Sequence, residues 1–211
     1  MKRAWIVLFV LSLFLLSACG EPAQTIDKGS NETVDKLPYV MKYNDKEISL
    51  RSIDVYQDKD SSAHWSPYMV VRFYIGTLSD DERQYITEAN YDRNSPLAPN
   101  DLSLKVHYSS SQNDMRGETM PYIIKYFDGD ELAFAYCDYT SKARKDMSDL
   151  SGVIEVSLTQ DEKYDATNHK INKYTCSFNG SSDTKVDIKD VSDMRPSEEK
   201  MFIKGMQNMM K

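Results

Sequence analysis

Residues 102–108, Leu-Ser-Leu-Lys-Val-His-Tyr, put apolar side chains at every second position and polar ones between them. That period of two belongs to a strand with one buried and one wet face; a helix would repeat every 3.6 residues. The same rhythm runs through most of the chain. Ile48 and Leu50 share a face, and the apolar phase then slips to Ile53 and Val55, which marks a bulge near Arg51–Ser52. Pro67–Ile75 (PYMVVRFYI) is apolar on both faces except for Arg72, the pattern of a central strand. Asp128-Gly129, set between two strand-like runs that end at Phe127 and Cys137, signals a tight hairpin turn with positive φ. Val153–Leu158, Ile171–Phe178 and Lys185–Ile188 bring the total to about eight strands, with no long helix between them. The expected fold is mainly β, an immunoglobulin-like β-sandwich. The 14 tyrosines agree with it, since Tyr suits half-buried strands.

Two stretches break the rhythm. Leu78–Asn100 is too long for a turn. Ser79 and Glu82 have capping-box spacing, which predicts a short helix over 80–87, and a Pro-containing loop follows. Long loops on a rigid scaffold often carry binding residues. Tyr85 and Tyr91 from this one, with Trp65 from the His64-Trp65-Ser66-Pro67-Tyr68 cluster, form the expected binding surface. From Ser197 the chain reads as a C-terminal helix with Phe202, Met206, Met209 and Met210 on one face. That face either packs on the domain or docks a partner.

At the other end, Lys2 and Arg3 precede an apolar run, Trp5–Leu16. As a helix it would be about 18 Å long, too short for a bilayer core of about 30 Å but suited to a signal peptide. Leu16-Ser17-Ala18-Cys19 follows directly and resembles the lipobox of bacterial lipoproteins. That resemblance implies lipid on the Cys19 sulfur and cleavage just before it. Stable anchoring needs two acyl chains, which a diacylglyceride supplies. The implied organisation is a signal peptide over 1–18, a lipidated cysteine and flexible tether over 19–37, the sandwich over 38–195 and the helix over 196–211. The tether-then-strand order is also similar to small immunoglobulin-like domains of Gram-positive lipoproteins, although no motif there assigns a site. Loss of Lys2 and Arg3 leaves 24 of the 26 basic residues against 33 acidic ones, a net charge of −9. Nucleic acid calls for a basic footprint, so this balance argues against it as a partner.

Chemistry-bearing motifs are sparse. His64, His107 and His169 are far apart, and there is no HExxH, CxxC, GxSxG or phosphate-binding glycine loop. Asp58-Lys59-Asp60 begins like a calcium loop, but Ala63 and Met69 stand where its glycine and bidentate glutamate belong. No cofactor or metal site is therefore expected. Lipidation of Cys19 leaves Cys137 and Cys176, both in strand-like runs. An extracytoplasmic location permits a disulfide between them, and two buried free thiols are the alternative. The expected function is a non-catalytic binding domain on the outer face of the cell membrane, displayed to an envelope protein or glycan. A small hydrolase with a dispersed site is the alternative, and a solute receptor is a more distant one.

Overall fold

The structure, a computed structural model, describes residues 29–60, 67–87, 102–111, 115–117, 122–137, 144–161 and 169–209. Eleven strands are β1 (Asn31–Thr33), β2 (Tyr39–Tyr43), β3 (Lys46–Gln57), β4 (Met69–Tyr74), β5 (Leu102–Ser110), β6 (Met115–Gly117), β7 (Tyr122–Asp128), β8 (Glu131–Cys137), β9 (Ser151–Asp161), β10 (His169–Asn179) and β11 (Val186–Asp190). Helix α1 spans Asp80–Thr87 and α2 spans Pro196–Met209. The chain folds as a β-sandwich. Sheet A has the order β1-β10-β9-β5-β6 and sheet B the order β11-β3-β4-β8-β7. β2 pairs with the first half of β3, antiparallel, and β11 pairs with the second half, parallel.

The expected strands all form, and three more join them. β1 and β6 escape the alternation because they have three residues each, and β2 (YVMKY) because Val40 puts an apolar side chain on its wet face. β1 is also exposed along its whole length. It corrects the expected tether: the domain begins well before residue 38. β1 lies parallel to β10, with Glu32 opposite Tyr174. Val34 is buried in the core, and the Tyr39 hydroxyl donates to Glu32 at 2.6 Å.

The main core lies between the sheets. From β8 it takes Leu132, Phe134 and Tyr136, from β4 Met69, Val71 and Phe73, and from sheet A Leu102, Val106, Ile154, Val156 and Cys176. The bulge sits where the phase slip places it. Leu50 pairs with Phe73 and Ser52 with Arg72, so Arg51 is the extra residue. It lets Ile48 and Leu50, then Ile53 and Val55, all face the core.

The outer faces differ. That of sheet A is polar: Lys105 lies opposite Glu155, and Ser103 opposite Ser157. That of sheet B is apolar, with Val70, Ile124, Tyr126, Ala133, Ala135 and Cys137 packed against Phe202 of α2. Strand β4 is therefore apolar on both faces because both are covered, one by sheet A and one by α2.

In the β7–β8 hairpin only Gly129, the first of the two central residues, has positive φ, 61°. A Cβ there would meet no other atom within 4 Å. Gly129→Ala should therefore cost about 1 kcal/mol from backbone strain alone, while Gly129→Asn, which tolerates that region, should cost less. Urea midpoints of the two variants check this order.

Candidate functional site

Below α2, on the outer face of sheet B, lies a buried network of ions. Its centre is Arg72, 1 % exposed, halfway along β4. The bulge in β3 turns Asp54 and Tyr56 to this face. Arg72 Nε donates to Asp54 Oδ2 at 2.9 Å, and Lys189 Nζ of β11 reaches Asp54 Oδ1, also at 2.9 Å.

The second carboxylate comes from α2. Pro196 opens that helix, a position where its missing N–H costs nothing. Three residues after Arg195, Glu198 folds back so that Oε2 accepts from the Arg195 backbone N–H at 2.9 Å, half of a capping box. The same oxygen accepts from the Tyr56 hydroxyl at 3.2 Å, and Oε1 pairs with Arg72 Nη2. Glu198 is 1 % exposed.

An outer tier binds the helix start to the β7–β8 hairpin. Arg195 bridges Glu131 at 2.9 Å and Asp128 at 3.4 Å. Ser197 donates to Asp128 at 3.1 Å, and the bulge residue Arg51 reaches Glu131 at 3.1 Å.

Electrostatics hold Arg72, Tyr56 and Tyr126 in fixed protonation states. Burial works against the Arg72 charge, but Tyr126, Asp54 and Tyr56 outweigh it and raise its pKa. Burial, with Asp54 beside it, pushes Tyr56 up to about 12. Tyr126 is also raised by burial, although Arg72 opposes the shift. A guanidinium and two phenols shifted this way exchange no protons near neutral pH. What they do is fix position: the network tells α2 where on the sheet to sit.

The expected site residues fare differently. Cys19, Trp65 and Tyr91 lie outside the described residues. Tyr85 is on α1, which forms over 80–87 as the capping box predicts: the Ser79 backbone N–H donates to Glu82 at 2.7 Å. Lys46–Glu82 and Arg83–Asp130 ion pairs fasten α1 to the ends of sheet B strands.

The segment 61–66, which carries Trp65, joins β3 to β4 at the other end of β4. Tyr68 marks that end and packs on Tyr108, with ring centroids 5.5 Å apart. From Tyr68 to Ile75 a strand covers about 23 Å. Of the residues expected to form the binding surface, only Tyr85 falls on a described element, α1.

The thiols are a second correction. Cys137 and Cys176 are both free and buried. Cys176 points into the main core and Cys137 to the outer face of sheet B, so the sheet itself stands between them. Burial raises both thiols, Cys137 to about 12 and Cys176 to about 11.

Ser110 and Ser111 donate to Asp149 at 2.6 and 2.9 Å. His107, three residues from Ser110 on β5, takes the opposite face of that strand and lies 4.0 Å from Glu155. His107 and Ser110 are close in sequence, but the histidine does not join the serine–carboxylate contact. Among the described residues no group of three His, Cys, Asp or Glu side chains could hold a metal ion. Comparison with known proteins finds no matching family model, no matching curated protein and no matching solved structure.

Arg72→Met should destabilise the domain by about 3 kcal/mol, because it removes the one cation that Asp54 and Glu198 share and leaves their buried charge only partly compensated. Adding Asp54→Leu and Glu198→Met should recover much of that loss, since a packed apolar replacement of a buried ion cluster is often neutral or better. Denaturant midpoints of the single and triple variants measure both effects.

The Glu82 carboxyl offers a pH test. Lys46 first, then the Ser79 amide and hydroxyl, hold its pKa below the usual range despite some desolvation. A depressed carboxyl stabilises the fold above its unfolded value of about 4.3 and loses that contribution as pH falls through the folded value. Glu82→Ala should therefore cost about 1 kcal/mol at pH 7 and almost nothing at about pH 2. Thermal melts of both proteins at the two pH values give the comparison.

Proposed function

We propose that this chain is a lipoprotein of the cell envelope, held on the outer face of the membrane through Cys19, and that its β-sandwich is a non-catalytic binding module. The observation that carries the reading is Leu16-Ser17-Ala18-Cys19 set directly after the apolar run of a short, basic-headed leader.

The fold adds a constraint on the display. With β1 starting at Asn31, residues 20–30 are all that separate the lipidated cysteine from the sandwich. They span at most about 40 Å fully extended, so the module works close to the membrane. The tether also enters at a defined end. Asn31 lies opposite Lys173, which pairs with Ser157. Leu102 pairs with the next residue, Leu158, so β5 begins at that same end. β5, which follows residues 88–101 in the chain, therefore begins at the tethered end; β4, which follows residues 61–66, begins at the far end, where Tyr68 packs on Tyr108. For a module tethered this way, the far end faces an envelope protein or glycan.

Cys19→Ala should abolish incorporation of labelled fatty acid and leave an uncleaved or mislocalised precursor, followed by electrophoresis and fractionation. Normal maturation and membrane retention of that variant would defeat the anchor. In capture from native envelopes, Trp65→Ala should lose partners that the Tyr91→Ala variant keeps. The reverse pattern would move the binding surface to the tethered end.

A further inference from the structure

The sandwich and its helical cover are joined in an unequal way. Among the described residues there are two separate apolar clusters, a large one between the sheets and a small one between sheet B and α2. From the described side chains of α2, only Glu198 and Phe202 are fully buried, while Ile203 on the same helix is 47 % exposed. The polar ties of α2 to the sheet come from its first turn and the residue before it: Arg195, Ser197 and Glu198. Among the described residues no strand pairs with the helix, so lifting it breaks no backbone ladder there. The sandwich would keep its main core and both sheets. It would lose the closure of one face, where Arg72 and Asp54 would then stand beside Val70, Ala133, Ala135 and Ile124.

We propose that α2 is a releasable cover, which leaves the outer face of sheet B as a unit while the two-sheet sandwich remains folded. Glu198 is its latch. The carboxylate occupies Arg72 and Tyr56 in the closed form, and release bares a guanidinium on an apolar floor. Opening of such a unit is a sub-global event with its own free energy, smaller than that of global unfolding. The inference stands on the packing of α2 and does not depend on the lipid anchor.

The molecule carries a reporter in each cluster. Cys137 belongs to the cluster that Phe202 of α2 closes, and Cys176 to the one between the sheets. A buried thiol reacts only after it is exposed and can ionise, so the labelling rate of each reports the opening of its own layer. The experiment is maleimide labelling of the full mature chain in detergent without denaturant. Peptide mapping by mass spectrometry follows Cys137 and Cys176 separately and sets aside any signal from Cys19.

Cys137 should label at least about tenfold faster than Cys176, and low urea should accelerate Cys176 more steeply than Cys137. Glu198→Gln should raise the Cys137 rate by a further factor of about ten and leave Cys176 unchanged. Ile203→Ala, on the exposed side of the helix, should change neither rate. Equal rates with one common urea dependence in the wild-type chain would overturn the proposal, because sandwich and helix would then open as one. A Glu198→Gln effect on neither thiol would overturn the latch.

Discussion

A guanidinium in the middle of a central strand has to be answered from somewhere. Arg72 is held out of water on all sides, and an ion moved into such a place carries a penalty of several kcal/mol unless charge and hydrogen bonds meet it. Much of the architecture of sheet B follows from that need. Without the extra residue Arg51, the phase of Ile48 and Leu50 would continue and Asp54 would turn into the main core. With it, Ile53 and Val55 take the core positions, and Asp54 arrives within 2.9 Å of Arg72. The bulge is thus the local device that builds the ion pair. The pair in turn demands a lid, since Asp54 and Arg72 on an open sheet face would be wet and loosely placed.

Helix α2 is the lid, and Glu198 serves it twice. As the third residue of the helix it closes the backbone at Arg195, and as a buried anion it completes Arg72. One side chain therefore sets both where the helix starts and where it sits. Burial of Phe202, one turn later, adds non-directional attraction but little information about register. Buried ionic clusters are a weak source of net stability and a better source of position. This one marks a single seat on an otherwise apolar floor of valine, alanine and isoleucine.

The alternation of Leu102, Leu104, Val106 and Tyr108 made sheet A legible, because its outer face remains in water. The bulge was legible from the slip between Leu50 and Ile53, the β7–β8 turn from Asp128-Gly129, and α1 from Ser79 and Glu82. What escaped was of two kinds. Strand β1 is a three-residue polar edge strand, Asn-Glu-Thr, held by backbone pairing with β10, and backbone pairing leaves no trace in side-chain pattern. The ion network escaped because its members are distant in the chain: Asp54 and Glu198 meet only once sheet and helix are in place. The one local sign was Arg72, a lone charge inside PYMVVRFYI, whose partner no periodicity could name. The thiols make the same point. An even count and two strand-like settings allowed a bridge, but strand parity decides, and parity put Cys137 and Cys176 on different sides of sheet B.

The two outer faces differ in what they can do. The polar face of sheet A, with Lys105 beside Glu155 and serines in register, is already satisfied by water and by its own cross-strand pairs. It requires no cover. The face of sheet B is satisfied only while α2 is seated, so any change in the position of that helix alters the exposed chemistry of the domain. The N-terminal strand β1 joins sheet A beside β10, so it takes no part in covering this face. Control of what this domain exposes therefore lies at one hydrogen-bonded carboxylate, Glu198, and at the short segment from Val191 to Arg195 that carries it to the sheet.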